Sequence, residues 1–372
     1  MRKRVRQIQE QVIARAGETF TSAIRAAMNP EKAAADAQQV RDEYHGLPSD
    51  ALADVLIRRA ARKTKWEGAA SGLGVTACEA LLAAPAPEPT HKLAAGSGVA
   101  ALLLGDIAYT TRLQMQLLLA IADLYGCPFE RDDEEDVYTV FKTALGLKGT
   151  ERVGSYSRFI FTETARKQFR RLLHTGIRRA VQDRVVKIAG PRIGAYLGEK
   201  SLMRLVPVAN AAIGYAFNNS VTKSVGRWAK VKAKVRASAF QHMRQIEDQE
   251  PAALVWILPL IFHVGTADDK LTENFLTLYS QINKRLRLDQ RQQRQVEWLI
   301  ASDQLLQIFT EALPQIATKR TRNALYDIAI TTAAVNLEVR TSLEECLAQL
   351  AKCLRLDYSR ADLKDKIQYL RR

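Results

Sequence analysis

The chain has 372 residues, 47% of them apolar and 7% aromatic, and a net charge of +15, which suits two domains with separate cores and rules out a disordered polymer. Its four cysteines, Cys78, Cys127, Cys346 and Cys353, form no CxxC pair and have no histidine at metal-ligand spacing, so reduced thiols are expected, with no disulfide and no structural zinc. The first ten residues, Met1 to Glu10, are charged and lack the apolar core of a signal peptide, so secretion is not expected.

No stretch reads as a membrane span. The apolar run 93–105 lies between Lys92 and Asp106 and is too short to cross a bilayer as a helix, and the longest uncharged stretch, Leu205 to Thr222, contains Pro207, Asn210, Asn218 and Asn219. Charge is distributed unevenly. Residues 1–244 hold 38 Lys and Arg against 23 Asp and Glu, residues 245–372 hold 17 of each, and residues 137–246 hold 22 basic against 4 acidic side chains. A field of that sign recruits anionic partners, either phospholipid head groups or nucleic acid.

In chain order, residues 1–60 read as helical, broken at Pro30 and at the turn Gly46 to Pro48, with Ser49 and Asp50 expected to cap the next helix. Ala51 to Lys65 places Leu52, Val55, Leu56 and Ala60 at helical spacing and ends in Arg58, Arg59, Arg62, Lys63 and Lys65. A third segment opens at Gly68 to Gly74 and closes at Pro85 to Pro89, which no helix can cross. Gly72 with Gly74, and Gly96 with Gly98, fit neither a dinucleotide nor a P-loop pattern, so close helix packing is the reading given to them.

Residues 93–126 form the centre of the arrangement. Asp106, Thr110 and Gln114 recur one helical turn apart on the side that carries Leu103, Ile107, Leu117, Ile121 and Leu124, while Arg112, Gln116 and Asp123 fall on a solvated or interfacial side. A buried carboxylate needs a donor or a proton. Asp106 is therefore either a structural tie between helices or part of a polar line bordering a ligand groove. The acidic run Glu130 to Asp136 reads as a solvated loop or a helix start.

Ser155 to Ala189 is helical in pattern, with Phe159, Phe169, Leu172, Leu173, Ile177, Val181, Val185 and Ile188 as core, surrounded by Arg166, Lys167, Arg170, Arg171, Arg178 and Arg179. Few acids are available to pair with these cations, so they are either solvated faces or an anion-binding surface. Pro207 opens a further helix with small residues, Gly214 among them, on one side. From Arg227 to Arg236 the chain alternates with period two, which argues for a strand. Its Ala-rich setting and lack of a pairing strand favour a helix instead, whose Lys230, Lys232, Lys234 and Arg236 join the candidate anion-binding cations.

The order of short motifs in residues 1–244 resembles the EcsC family. These are Ala60-Ala-Arg-Lys63 followed by Gly68-Ala-Ala-Ser-Gly72-Leu-Gly74, then Leu104-Gly-Asp106-Ile-Ala-Tyr-Thr-Thr-Arg-Leu-Gln114, Ile121-Ala-Asp-Leu-Tyr125-Gly126, and Arg204-Leu-Val-Pro207 running to Asn218. Val208-Ala209-Asn210 stands where the family pattern has Val-Gly-Ala. The resemblance implies a helical domain associated with the membrane, in a family sometimes encoded beside transport ATPases, and carries no reaction with it.

Residues 245–372 contain an internal repeat. Ala253 to Asp289 and Ala324 to Asp357 each read as helix, acidic turn, helix, and each ends in Leu-Arg-Leu-Asp. The arrangement resembles the TerB-like helical domain. Its turns hold Asp268, Asp269 and Glu338, weak candidates for a hard cation, but a metal is not expected. N-capping by Asp269 or Thr272, and by Thr341 or Ser342, accounts for the same residues.

The expected protein is all-α, with an EcsC-like basic domain over 1–244, a duplicated TerB-like bundle over 245–372, and a boundary near 243–251. Its five histidines, His45, His91, His174, His242 and His263, match no catalytic motif, and His263 reads as a satisfied core or interface residue. No cofactor and no catalytic residue is expected. Apolar helices beside Lys and Arg suit an anionic membrane surface or a membrane protein as partner, at the inner face of the cell membrane in a bacterial cytoplasm, with the second domain free to bind a protein. Nucleic-acid binding is the rival, less favoured because aromatics are not interleaved with the basic clusters. An accessory role in membrane transport or stress response is a further alternative.

Overall fold

The computed structural model describes residues 27–83, 109–131, 133–144, 207–267 and 272–372. These residues are helical and include no β-strand. The sequence from Arg227 to Arg236 lies inside a helix despite its period of two, because no strand is at hand to pair with it. The expected helix over 155–189, and with it Arg166, Lys167, Arg170 and Arg171, lies outside the described residues, as do Gly96 and Gly98.

Two compact units are present. The described part of the first comprises 27–83, 109–144 and 207–230, and that of the second comprises 231–372. The division thus falls between Lys230 and Val231, upstream of the expected 243–251, and inside a helix that ends at Gln249, just before Pro251.

In the first unit, α1 (Pro30–Glu43) starts at Asn29, whose side-chain oxygen accepts from the Lys32 amide at 2.9 Å, with Pro30 in the first turn. It buries Ala33, Ala37 and Val40. Helix α2 (Ser49–Ala83) follows the left-handed Gly46. Ser49 does not cap it: its hydroxyl donates to the Leu124 carbonyl at 3.1 Å, and Asp50 accepts from the Tyr125 hydroxyl. Helix α3 covers residues 109–124 and closes on Gly126 at φ +67, with the Cys127 amide bonded to Ala122 O and the Gly126 amide to Asp123 O. That pair of bonds satisfies carbonyls a helix end would otherwise leave bare, and a left-handed residue is needed to make it. Helix α4 (Glu134–Ala144) begins within the acidic run, where Asp133 accepts from the Asp136 amide and Asp136 from the Glu130 amide, both at 2.9 Å. Helix α5 (Pro207–Gln249) supplies the last wall of the first unit and then enters the second.

The second unit continues through α6 (Ile257–Thr266), α7 (Glu273–Arg285), α8 (Gln290–Ala301), α9 (Leu305–Ala312), α10 (Lys319–Ala333), α11 (Thr341–Cys353) and α12 (Arg360–Arg371). Helices α6 and α10, which open the two repeat copies, pack on each other. Their following turns also meet: Thr272 and Asn274 both donate to the side-chain oxygen of Asn336, at 3.0 and 3.4 Å. Thr272 caps α7 by accepting from the Phe275 amide. Neither Thr341 nor Ser342 caps α11, because that helix begins at Thr341 and Arg340 occupies the cap position.

Candidate functional site

Thr110 and Gln114, expected on the buried side of α3, are buried there, and the partners they find come from α5, with α2 alongside. Thr110 and Gln114, one turn apart, face Asn218 and Thr222, one turn apart on α5, with Thr64 of α2 completing the group. All five are almost fully enclosed, at 5, 0, 5, 0 and 0% exposure for Thr110, Gln114, Asn218, Thr222 and Thr64.

Hydrogen bonds run through this group in one direction. Thr64 donates its hydroxyl to main-chain carbonyls, Ala61 O at 3.3 Å with Asn218 O at 3.5 Å. Its oxygen therefore accepts from Thr222, 2.9 Å away, and the Thr222 oxygen accepts from Gln114 Nε2 at 3.0 Å. Asn218 Nδ2 donates to Thr110 at 3.4 Å. The chain leaves Gln114 Oε1 at its head, buried and without a protein donor. An enclosed carbonyl oxygen without a donor costs about 1–3 kcal/mol, so this end of the network favours a hydroxyl or amide that could reach it. Every member is neutral across the physiological range, so the group can orient and bind but cannot move a proton by acid–base chemistry.

Ion pairs surround this core. Arg41 reaches Asp123 Oδ2 at 3.2 Å and its carbonyl at 2.9 Å, fixing the end of α3 against α1. Arg59 pairs with Glu43, joining α2 to α1, and the pairing holds the Glu43 carboxyl below its ordinary range. Lys230 of α5 is buried and holds both oxygens of Asp54 at 3.1 Å.

Several candidate residues fall elsewhere than the sequence suggests. Gln116, expected on the solvated edge with Arg112, is buried, since residues 114–122 of α3 are enclosed on every side. Arg112 is exposed, and Asp106 lies outside the described residues. Of the basic stripe on α5, Lys230, Lys234 and Arg236 are buried and Lys232 is half-buried. Lys234 donates to Tyr369 O at 3.1 Å in the second unit. These cations therefore serve the interior more than any surface. Close helix approach occurs at Gly226, where a Cβ would stand 2.5 Å from Ile57 Cγ1, and at Gly265, where one would overlap the Phe275 ring. Glycines at 72, 74 and 214 lie in α2 and α5 at positions whose side-chain surroundings are not described.

In the second unit, Glu338 pairs with its neighbour Arg340, and Asp268 and Asp269 lie outside the described residues. Among the described residues no group of three or more His, Cys, Asp and Glu side chains is placed to hold a metal ion. His263 packs edge-on against Phe309, 5.7 Å between ring centres, but its Nε2 is buried without a protein partner, so the expected satisfaction is incomplete. Burial lowers its pKa.

Thr64, Asn218 and Thr222 were not singled out from the sequence. In the sequence Asn218 interrupts the uncharged stretch 205–222 and closes a family motif, and Thr222 ends that stretch, although their spacing of four matches that of Thr110 and Gln114. That match is the signal that could have joined the two pairs.

Residues 92–237 match the model of the EcsC protein family. The matched segment contains Thr110, Gln114, Asn218 and Thr222, four of the five members of the buried network. No curated protein and no solved structure matches the chain.

Proposed function

We propose that residues 1–244 attach peripherally to an anionic lipid surface, or to a protein within it, and that residues 245–372, a TerB-like duplicated bundle, serve as a protein-interaction module. The observation that carries this reading is the charge: all of the +15 excess falls in residues 1–244, and the rest of the chain is neutral. Among the described residues no helix is long and apolar enough to cross a membrane, and electrostatic attachment with shallow insertion is the mode proposed. Each Lys or Arg held at an acidic surface contributes about 1 kcal/mol, so four or five acting together support reversible micromolar binding. The buried network of α2, α3 and α5 fits a supporting role, holding the basic surface in shape without adding charge to the interior. No reaction is part of the proposal.

Co-sedimentation with phosphatidylserine-rich and pure phosphatidylcholine vesicles at equal salt is the test. Binding to the acidic vesicles alone is expected, weakened by high salt. Changing Arg166, Lys167, Arg170 and Arg171 to Glu should weaken it far more than the same change at the exposed Arg291, Arg294, Lys319 and Lys352 of the neutral half. Retardation of a nucleic acid with no vesicle binding would replace this reading with its rival.

A further inference from the structure

On the described surface, cations and an exposed aromatic ring line up on a helix face within the basic half of the chain. On α2, Arg58, Arg62 and Trp66 recur at intervals of four and so share a face, about half a turn of the helix away from the buried Thr64. Arg58 and Arg62 are exposed, Lys63 beside them is exposed, and Trp66 is 65% exposed. From Val55 to Trp66 the sequence carries five basic residues and no acid. Arg59 is committed to a carboxylate in its own unit, Glu43, and the Lys65 ammonium lies 5.8 Å from the centre of the Trp66 ring. Arg58, Arg62 and Lys63 make no ion pair among the described residues.

We infer that this face of α2 lies against an anionic bilayer, with Trp66 seated at the level of the lipid head groups, alongside the cations of residues 166–171. The inference rests on the proposed membrane attachment and names a surface that takes part in it. An exposed indole is expensive to leave in water and favours the membrane interface, where its ring meets acyl chain and its N–H meets water or phosphate. Flanking cations at one and two turns earlier on the same face supply the charge that holds such a ring at an acidic surface. Trp298 on α8 is nearly as exposed, at 61%, and shares its face with Arg291 and Arg294, but it belongs to the half of the chain whose charges balance, and so provides an internal comparison. Single-stranded nucleic acid, which also stacks on aromatics, is less well matched, because a strand needs a series of rings and this face presents one.

Tryptophan quenching in the full-length protein tests the inference. Vesicles of phosphatidylserine and phosphatidylcholine brominated along the acyl chain quench only rings that enter the interface. Quenching is expected in the wild type and in Trp298→Phe, and should be largely lost in Trp66→Phe. Changing Arg58, Arg62 and Lys63 together to Glu should weaken vesicle binding at least about tenfold, with the melting temperature unchanged because all three are exposed. Wild-type binding with undiminished quenching in Trp66→Phe, or undiminished affinity in the triple variant, would overturn the assignment to α2 while leaving membrane attachment standing. Absence of wild-type binding to any acidic vesicle would remove both.

Discussion

Gln114 and Thr222, 108 residues apart in sequence, meet at 3.0 Å inside the first unit, and Thr222 passes the bond on to Thr64. The amide of Gln114 is thereby fixed by the hydroxyl of Thr222, whose own partner, Thr64, is held by main-chain carbonyls. Removing different members of this chain has unequal consequences. Thr222→Val strips an acceptor from Gln114 and a donor from Thr64 together, leaving buried polar groups unpaired, and is expected to destabilise by about 2 kcal/mol. Gln114→Leu deletes the unpartnered Oε1 along with the donor and should be milder. The double variant should lose less than the sum of the two, measured by urea denaturation.

Asp54 and Lys230 make a second unequal pair. The Lys230 side chain is 7% exposed and that of Asp54 is 48% exposed. Asp54→Ala leaves a buried ammonium without its carboxylate, whereas Lys230→Met leaves a carboxylate that water already reaches. The first change should cost about 2 kcal/mol, discounted from a fully buried pair for the exposure of Asp54, and the second under about 1. Equal losses would show that Lys230 is hydrated in solution.

Gly226 lies against Ile57 so closely that the smallest side chain intrudes on it. Gly226→Ala should therefore destabilise by about 1–3 kcal/mol, although alanine is the better helix former. In an Ile57→Ala background the same change should cost less, since the Cγ1, Cδ1 and Cγ2 atoms that the new Cβ would meet are gone. A more stable Gly226→Ala would mean that α2 and α5 separate easily.

The second unit should respond to mild acid. Burial lowers the pKa of His263 from its ordinary 6.5, and burial also lowers that of His242, with Lys366 adding to the effect and Asp327 opposing it. With folded values below the unfolded one, the unfolded chain binds the extra protons first. Stability is thus present above about 6.5 and is lost as pH falls toward the folded values. Melting temperature should drop between pH 7.5 and 5.5, and His263→Leu should flatten the drop. Carboxylates such as Glu344, held low by Arg360, act only at more acidic pH.

Helix identity was legible because apolar spacing survives any tertiary context, and even the misleading alternation at Arg227 to Arg236 yielded once no pairing strand could be named. Thr110 and Gln114 were legible as buried for the same reason. Their partners were not, since α2 and α5 meet α3 across more than a hundred residues in part, and periodicity says nothing about which faces meet. Ser49 shows a different limit: a hydroxyl at a helix start can cap its own helix or tie down another, and only the position of Leu124 decides. Lys230 and Lys234 show a third. Long cationic side chains read as surface until a carboxylate or carbonyl is found within reach, and Asp54 and Tyr369 stand far from them in sequence.

The buried network of Thr64, Thr110, Gln114, Asn218 and Thr222 contains no group that titrates. A negatively charged lipid surface concentrates protons as it does other cations, and a potential of about −30 mV makes the adjoining water about half a pH unit more acidic than bulk. Interior polarity built from hydroxyls and amides is indifferent to that acidity. This network can therefore meet such acidity without changing protonation, whereas burial of His242 and His263 makes the second unit sensitive to it.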